Sequence, residues 1–419
     1  MHLQTQDLWA ALSEASGKDV QSFMGVWTKE VGYPVVNLAR DGGKLAMSQA
    51  RFLSNGKSVA QTNSWWVPMT LLDAEGKSVT ADLKSETGSV DGTGAMASSW
   101  LKANAGQTAF FRVRYSDEML AQLGDSIESL KLCPVDRLGV QSDAFALAKA
   151  GQLPTDRALA LAVKYVNETD FTVWSDLAGS LGDVMGTWAK EDAEYAQLQK
   201  LLLKVMSKVI EVLGWTPKPG ENALFPMLRP LIIGALGRNG HDAVKQEALD
   251  KMFKGGWQSV PADLRFAVYS IVVAHGGTEG FEAVFKVFKE ADMAEERVRA
   301  LRGLGDKPLL HVMFLIVAAP RADRVLLCAR ATLDARRPAL PAHLLAERCL
   351  DRLCHFLTPL WWVGGVWGGR LHVSGYTKEP ALIDRLLGMT LDDSIRAQDV
   401  FYVYGTLAGK GRVGMIGFY

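Results

Sequence analysis

Hydrophobic positions change period twice along the chain. Leu8, Trp9 and Leu12, then Phe23, Met24 and Trp27, recur at helical spacing on either side of a break at Ser16–Gly17. Two short helices are expected there, and their apolar set is too small to close a core. From Pro34 to about Tyr115 the period is close to two. Pro34–Ala39, Lys44–Phe52, Trp65–Leu72, Ser78–Leu83, Trp100–Asn104 and Ala109–Tyr115 read as short strands. Separators such as Asp41–Gly42–Gly43 and Ala74–Glu75–Gly76–Lys77 supply residues that tolerate positive φ, as hairpins require. The run predicts a small antiparallel β-sandwich, with Phe110, Phe111 and Tyr115 as core aromatics of its last strand.

From Ser116 the period becomes 3.6 and stays there. Ser116 is placed to cap a helix carrying Met119, Leu120 and Leu123. Pro134–Ala150 starts with proline and stops at Gly151, and Thr155 is placed to cap Asp156–Asn167. Phe171–Ala189 sets Val173, Trp174, Leu177, Leu181, Val184, Met185 and Trp188 on one stripe. Further helices are expected over Asp192–Leu213, Asn222–Leu236, His241–Phe253, Pro261–His275, Thr278–Ala291 and Met293–Leu304. Helices joined by short Gly/Pro turns describe paired helices stacked as a solenoid, similar to HEAT or armadillo arrays. The expected fold class is therefore multidomain and mostly α: a small antiparallel β-sandwich followed by an α-α helical solenoid.

Composition narrows the partners. Among 419 residues, Lys+Arg and Asp+Glu both total 46, so no net field favours nucleic acid or an anionic membrane. The start MHLQTQDLWAALSEASGKD lacks a basic stretch followed by an apolar core, so no secretory signal is expected. The apolar runs Val312–Ala319 and Leu360–Trp367 fall short of the roughly 20 residues a spanning helix needs. Four cysteines, three of them within 328–354, do not make a disulfide scaffold, and a reducing, cytoplasmic setting is expected.

One segment breaks the pattern. Asp306–Gly375 holds eight arginines against one lysine, three of the four cysteines, four of the seven histidines, and the run Trp361–Trp362–Val–Gly–Gly–Val–Trp–Gly–Gly. It reads either as an inserted helical excursion or as translated non-coding sequence such as a retained intron. Clean joins at both edges, and the solubility liability of an exposed Trp–Trp, favour the second. The ending Lys–Gly–Arg–Val–Gly–Met–Ile–Gly–Phe–Tyr lacks the polar face a terminal repeat needs.

Several motifs recur in a fixed order. They are LW–x–x–L from Leu8, S–G–K–x–V from Ser16, and W–T–K–x–x–G–Y–P–V–V from Trp27. Next comes the run Asn104 to Tyr115, NAGQTAFFRVRY, then Pro134 to Gly151, PVDRLGVQSDAFALAKAG. NETDFTVWSDL from Asn167, LGWTPKPG from Leu213 and DLRFAV from Asp263 come after these. Taken together this order closely resembles the puromycin-sensitive-type zinc aminopeptidases, over their C-terminal, non-catalytic part only. The likeness runs over Leu8–Gly305 and resumes at Tyr376–Gly409, with Ala109 where the family usually has glycine. It implies that residues 1–33 are a remnant of the catalytic domain's last helices. Residues 34–115 would then be the β-sandwich domain and 116–409 the α-helical solenoid, with 306–375 an atypical insertion and 410–419 an aberrant tail. Leu8–Val36 accordingly reads as the end of a domain whose beginning lies upstream.

The family's reaction, zinc-assisted removal of N-terminal residues from peptides, needs two histidines at i, i+4, a glutamate base between them, and a distant glutamate ligand. The histidines here are 2, 241, 275, 311, 343, 355 and 372, no two are four apart, and no His-Glu pair exists. The amine-gripping G–x–M–E–N element is also missing, since Gly94–Ala95–Met96–Ala97–Ser98 has no glutamate. No catalytic residue carries over, no metal site is expected in this chain, and zinc is implied only for the full-length family enzyme. Cys349–x4–Cys354–His355 lacks the second ligand pair of a structural zinc site. Gly364–Gly365 and Gly368–Gly369 are not a phosphate-binding loop. Asp136–Arg137 reads as a cap and surface ion pair, and Lys190–Glu194 as a solvated helix face.

In the family the helical domain closes over the active cleft and holds the distal end of the peptide. The resemblance thus makes Arg137, Gln141 and Trp174 candidates for facing peptide, with packing as the alternative role. The expected function is that of an aminopeptidase's C-terminal part that encloses and sizes peptides, inactive alone, with peptides and the N-terminal catalytic domain as partners. The alternative is a non-enzymatic solenoid module binding peptides or a partner protein. An enzyme with an unfamiliar site finds no supporting constellation.

Overall fold

The computed structural model describes residues 4–56, 64–91 and 98–304. The readings on Asp306–Gly375, Tyr376–Gly409, the 410–419 ending, the Cys349–Cys354–His355 cluster and most of Gly94–Ser98 lie outside the described residues. Twelve α-helices and seven strands are found among the described residues, a multidomain, mostly α fold with a small sheet region.

Helix α1 (Thr5–Ser16) ends where Gly17 turns left-handed at φ 67°. Asp19 caps α2 (Val20–Lys29) by accepting from the Ser22 amide at 3.1 Å. Neither helix buries a residue fully. Helix α2 is held to the strands by aromatic contacts. Trp27 Nε1 donates to the Trp66 carbonyl at 3.1 Å, and the Phe23 ring meets Trp66 edge-on at 5.0 Å.

The strands are β1 (Pro34–Asp41), β2 (Lys44–Arg51), β3 (Val67–Asp73), β4 (Ser78–Leu83), β5 (Thr87–Val90), β6 (Leu101–Ala103) and β7 (Arg112–Tyr115). They make a four-stranded sheet in the order β5-β2-β1-β7 and a three-stranded sheet in the order β4-β3-β6. The expectation of purely antiparallel pairing fails at one place. Strand β7 runs parallel to β1, in the register Val35↔Arg112 to Leu38↔Tyr115. The whole second sheet intervenes between them in sequence, ample for the long crossover that a parallel pair needs. Strand β5 is absent from the sequence pattern, because Thr–Gly–Ser–Val carries one large apolar residue and only an edge position on β2.

Val36, Leu38, Leu45 and Met47 of the first sheet, and Val67, Met69, Leu71 and Leu83 of the second, are buried. Each such side chain contributes on the order of 1.5–3 kcal/mol when fully covered. Tyr115 joins the sheets, its hydroxyl accepting from the Ala103 amide at 3.0 Å and donating to the Ala103 carbonyl at 3.3 Å. Phe111 and Tyr115 are core residues as expected, but Phe110 is 69% exposed. It precedes the ladder of β7, so no sheet pleat turns it inward, and its ring instead lies 4.7 Å from that of Tyr33.

The remaining ten helices are α3 (Asp117–Glu128), α4 (Pro134–Lys149), α5 (Thr155–Ala162), α6 (Phe171–Met185), α7 (Ala193–Leu213), α8 (Phe225–Arg238), α9 (Asp242–Gly255), α10 (Arg265–His275), α11 (Gly277–Glu290) and α12 (Ala294–Leu304). Ser116 caps α3 through the Met119 amide at 3.4 Å. Several expected boundaries move. Helix α5 gives way to a 3-10 turn over Val163–Tyr165. Helix α6 stops at Met185, leaving Trp188 42% exposed and off the stripe. Helix α8 runs through Gly237, where a side chain has no room because its Cβ would sit 2.3 Å from Ile271 Cδ1. Lys190–Glu194 is a turn and the first residues of α7, not the face of one helix.

Two compact units result. One holds the residues up to Met185 and Lys190–Leu228, the other Gly186–Ala189 and the residues from Arg229. In the second, α10 buries Ala267 through Val273 and is flanked by α9, α11 and α12. No helix among the described residues is long and apolar enough to cross a membrane.

Candidate functional site

Helix α4 carries the unusual chemistry of the first unit. Pro134 begins it, at the position where a missing N–H costs nothing. Its buried residues include Asp136, Arg137, Gln141 and Asp143, so polar side chains stand where an ordinary helix would present an apolar stripe.

Asp136 and Asp143, two turns apart, face the strands. Asp136 Oδ1 accepts from the Gly106 amide at 2.8 Å and lies 3.3 Å from Lys102 Nζ. Lys102 also donates to the carbonyls of Ala103 at 2.5 Å and Asn104 at 3.2 Å. Asp143 accepts from the Val113 amide at 2.9 Å and from Arg112 Nη1 at 3.0 Å. One carboxylate thus holds β6 and its following turn, and the other holds β7. Burial dominates the titration of the group. It pushes Asp143 up to about 6, against the opposing Val113 amide, Arg112 and Lys102. It pulls the Lys102 ammonium down, with Asp136 and Asp143 resisting, and raises the Tyr115 hydroxyl.

On another side of α4 the sequence-derived candidates come together. Arg137 makes a two-pronged pair with Glu168, Nε to Oε2 at 2.6 Å and Nη2 to Oε1 at 2.8 Å, while Nη1 donates to the Leu132 carbonyl at 2.5 Å. Glu168 also accepts from the amides of Thr169 and Asp170, both at 2.8 Å. Trp174 Nε1 donates to the Glu168 carbonyl at 2.9 Å. Gln141 Nε2 donates to the Val173 carbonyl at 2.8 Å and to Asp176 Oδ2 at 3.3 Å. The three residues are only 6%, 0% and 0% exposed. As placed, none offers its side chain to a peptide, and the geometry supports packing: they lock α4, α6 and the 165–170 turn together.

Asp136 and Arg137 are likewise not a surface pair. Each is buried against a different partner, because the strands and the 165–170 turn cover the start of α4. Sequence reasoning misses Lys102, Asp143 and Glu168 as buried partners. The available signal is the seven-residue spacing of Asp136 and Asp143, two helical turns on one face.

This constellation holds elements together; it is not arranged for catalysis. The exposed Cys133 thiol donates to Asp136 Oδ2 at 3.2 Å, and partial burial of the sulfur shifts its pKa upward. Among the described residues, no three His, Cys, Asp or Glu side chains meet in a way that would hold a metal. Around Asp136 and Asp143 the carboxylate oxygens are taken by amide N–H groups, Lys102 and Arg112. A divalent cation does not fit there.

Comparison with known proteins decides the family. The model of the ERAP1-like C-terminal domain matches residues 100–309, starting just before β6 and running through α12. The chain belongs to that family. It is 35% identical over 327 residues to Aminopeptidase M1 of Arabidopsis thaliana, covering 73% of this chain and 37% of that protein. It is 31% identical over 326 residues to the Alanine/arginine aminopeptidase of Saccharomyces cerevisiae, covering 74% and 36%. Identity to the Puromycin-sensitive aminopeptidase of Caenorhabditis elegans is 31% over 317 residues, covering 73% and 33%. The resemblance to puromycin-sensitive-type aminopeptidases is therefore shown. The chain spans about a third of the length of these relatives.

Proposed function

We propose that this chain supplies the C-terminal, non-catalytic part of a zinc aminopeptidase that removes N-terminal residues from peptides. The observation that carries the reading is the family match over 100–309 in a sequence with no H-E-x-x-H. In this reading residues 1–33 are the last helices of the catalytic domain, 34–115 a β-sandwich and 116–409 a helical solenoid. The solenoid encloses peptides and limits their length, and the chain by itself holds no zinc. Peptides and the catalytic domain are its partners, in the cytoplasm. Because Arg137 and Gln141 of α4 and Trp174 of α6 are buried, the peptide-facing side chains belong to other positions in this reading.

Calorimetric titration of the purified chain with a mixed set of short unmodified peptides tests this. Heat of binding that persists after zinc chelation, with every peptide recovered intact, is expected. Peptides shortened from their amino ends by the chain itself would contradict it.

A further inference from the structure

The outer face of the four-stranded sheet carries a groove that the packing role of α4 does not use. Its volume is about 590 Å³, within the range of small-ligand and short-peptide sites and far below what a folded domain would fill. The floor is made of small side chains, Ala39, Ala46, Ser48 and Gly88, so an extended chain can lie close to the sheet backbone. One wall is built from Ser116–Asp117 at the start of α3 and Leu153–Pro154 before α5.

The charges in the groove are asymmetric. Asp117 is matched by Arg157 at 3.0 Å. Arg114 lines the groove, is exposed, and among the described residues has no ion-pair partner. Strand alternation explains the contrast within Arg112–Val–Arg–Tyr115: Val113 and Tyr115 go to the core, while Arg114 points to the outer face. Arg112 is occupied by Asp143, whereas Arg114 is not. Across the groove, on the far side of Asn37 from Arg114, Ser48 Oγ accepts from Asn37 Nδ2 at 3.1 Å, which leaves the serine's own proton to donate. A guanidinium without an ion-pair partner, over a floor without bulky side chains, suits a carboxylate on an extended backbone.

We propose that this groove binds an extended acidic segment of a partner protein, with one carboxylate on Arg114. Most of the lining is on the strands, and it includes none of the buried α4 and α6 residues described above. A fluorescein-labelled Glu-Gly-Glu-Gly-Glu peptide with blocked ends, followed by fluorescence anisotropy, tests it. The wild-type chain is expected to bind this peptide and not the Gln-Gly-Gln-Gly-Gln version. Arg114→Ala is expected to weaken binding about tenfold or more, the loss of one charge-assisted contact. Ala46→Leu, which fills the floor, is expected to weaken it as well, while Lys286→Ala, an exposed cation that is not part of the groove lining, leaves it unchanged. Circular dichroism checks that each variant is folded. No binding by the wild-type chain, or wild-type affinity in Arg114→Ala, would overturn the proposal. So would an equal loss in Lys286→Ala, which would reveal diffuse charge attraction.

Discussion

Arg137 and Glu168 show how much a single buried pair decides. Both are almost fully covered, and the guanidinium is raised in pKa because Glu168 outweighs the burial that would lower it. Glu168→Gln leaves a buried cation without its counter-charge and is expected to cost about 3–5 kcal/mol, read as a lower urea midpoint. Replacing both partners by apolar residues of similar volume is expected to cost much less. Asp143 makes a second case, governed by pH. Its carboxyl rises from 3.8 to about 6 because burial penalises the charge, so the folded chain holds this proton more tightly than the unfolded chain does. The contribution is complete below 3.8 and is lost as pH rises through about 6. Arg112, Lys102, Asp136 and Tyr115 surround the group, and all stay in place in Asp143→Asn. Urea midpoints measured across that interval are expected to fall with rising pH more steeply for the wild type than for Asp143→Asn. None of these pairs is legible in the sequence. A charged residue in a helical pattern reads as solvent-facing, and nothing local reveals that a strand from 30 residues upstream will cover it.

Elements are far more legible, since caps and periods are local properties. Ser116 is identifiable as the cap of α3 from its position alone, and Ser116→Ala is expected to cost about 1 kcal/mol in thermal unfolding. Strand alternation tells which residues face inward but not which strand lies alongside, so it does not reveal the parallel β1–β7 pair. Glycines inside helices separate two kinds of position. At Gly280 of α11 a Cβ would lie 2.3 Å from the Val272 carbonyl oxygen of α10. Gly280→Ala is therefore expected to destabilise by about 1–3 kcal/mol, since the backbones must part. Gly182 of α6 has nothing within 4 Å of its would-be Cβ. Gly182→Ala is expected to gain about 0.5–1 kcal/mol from helix propensity. Thermal midpoints shifting in opposite directions would confirm that the close backbone approach at Gly280, and not glycine content as such, sets the effect.

At the scale of the molecule, ordered motifs make the family readable without coordinates, and the match over 100–309 agrees with them. The site residues fare differently. A motif such as NETDFTVWSDL reports that Glu168 and Trp174 belong to a recurring arrangement, but not whether that arrangement meets ligand or core. In this structure Glu168 and Trp174 are buried and hold α6 and the 165–170 turn against α4. Among the described residues no three His, Cys, Asp or Glu side chains meet to hold a metal. The most direct test is hydrolysis of leucine p-nitroanilide by the chain purified free of host aminopeptidases and supplied with zinc. Release of p-nitroaniline no faster than in the buffer blank is predicted. Turnover that rises with the concentration of the chain and stops on chelation would show instead that the chain carries a zinc-dependent active site of its own.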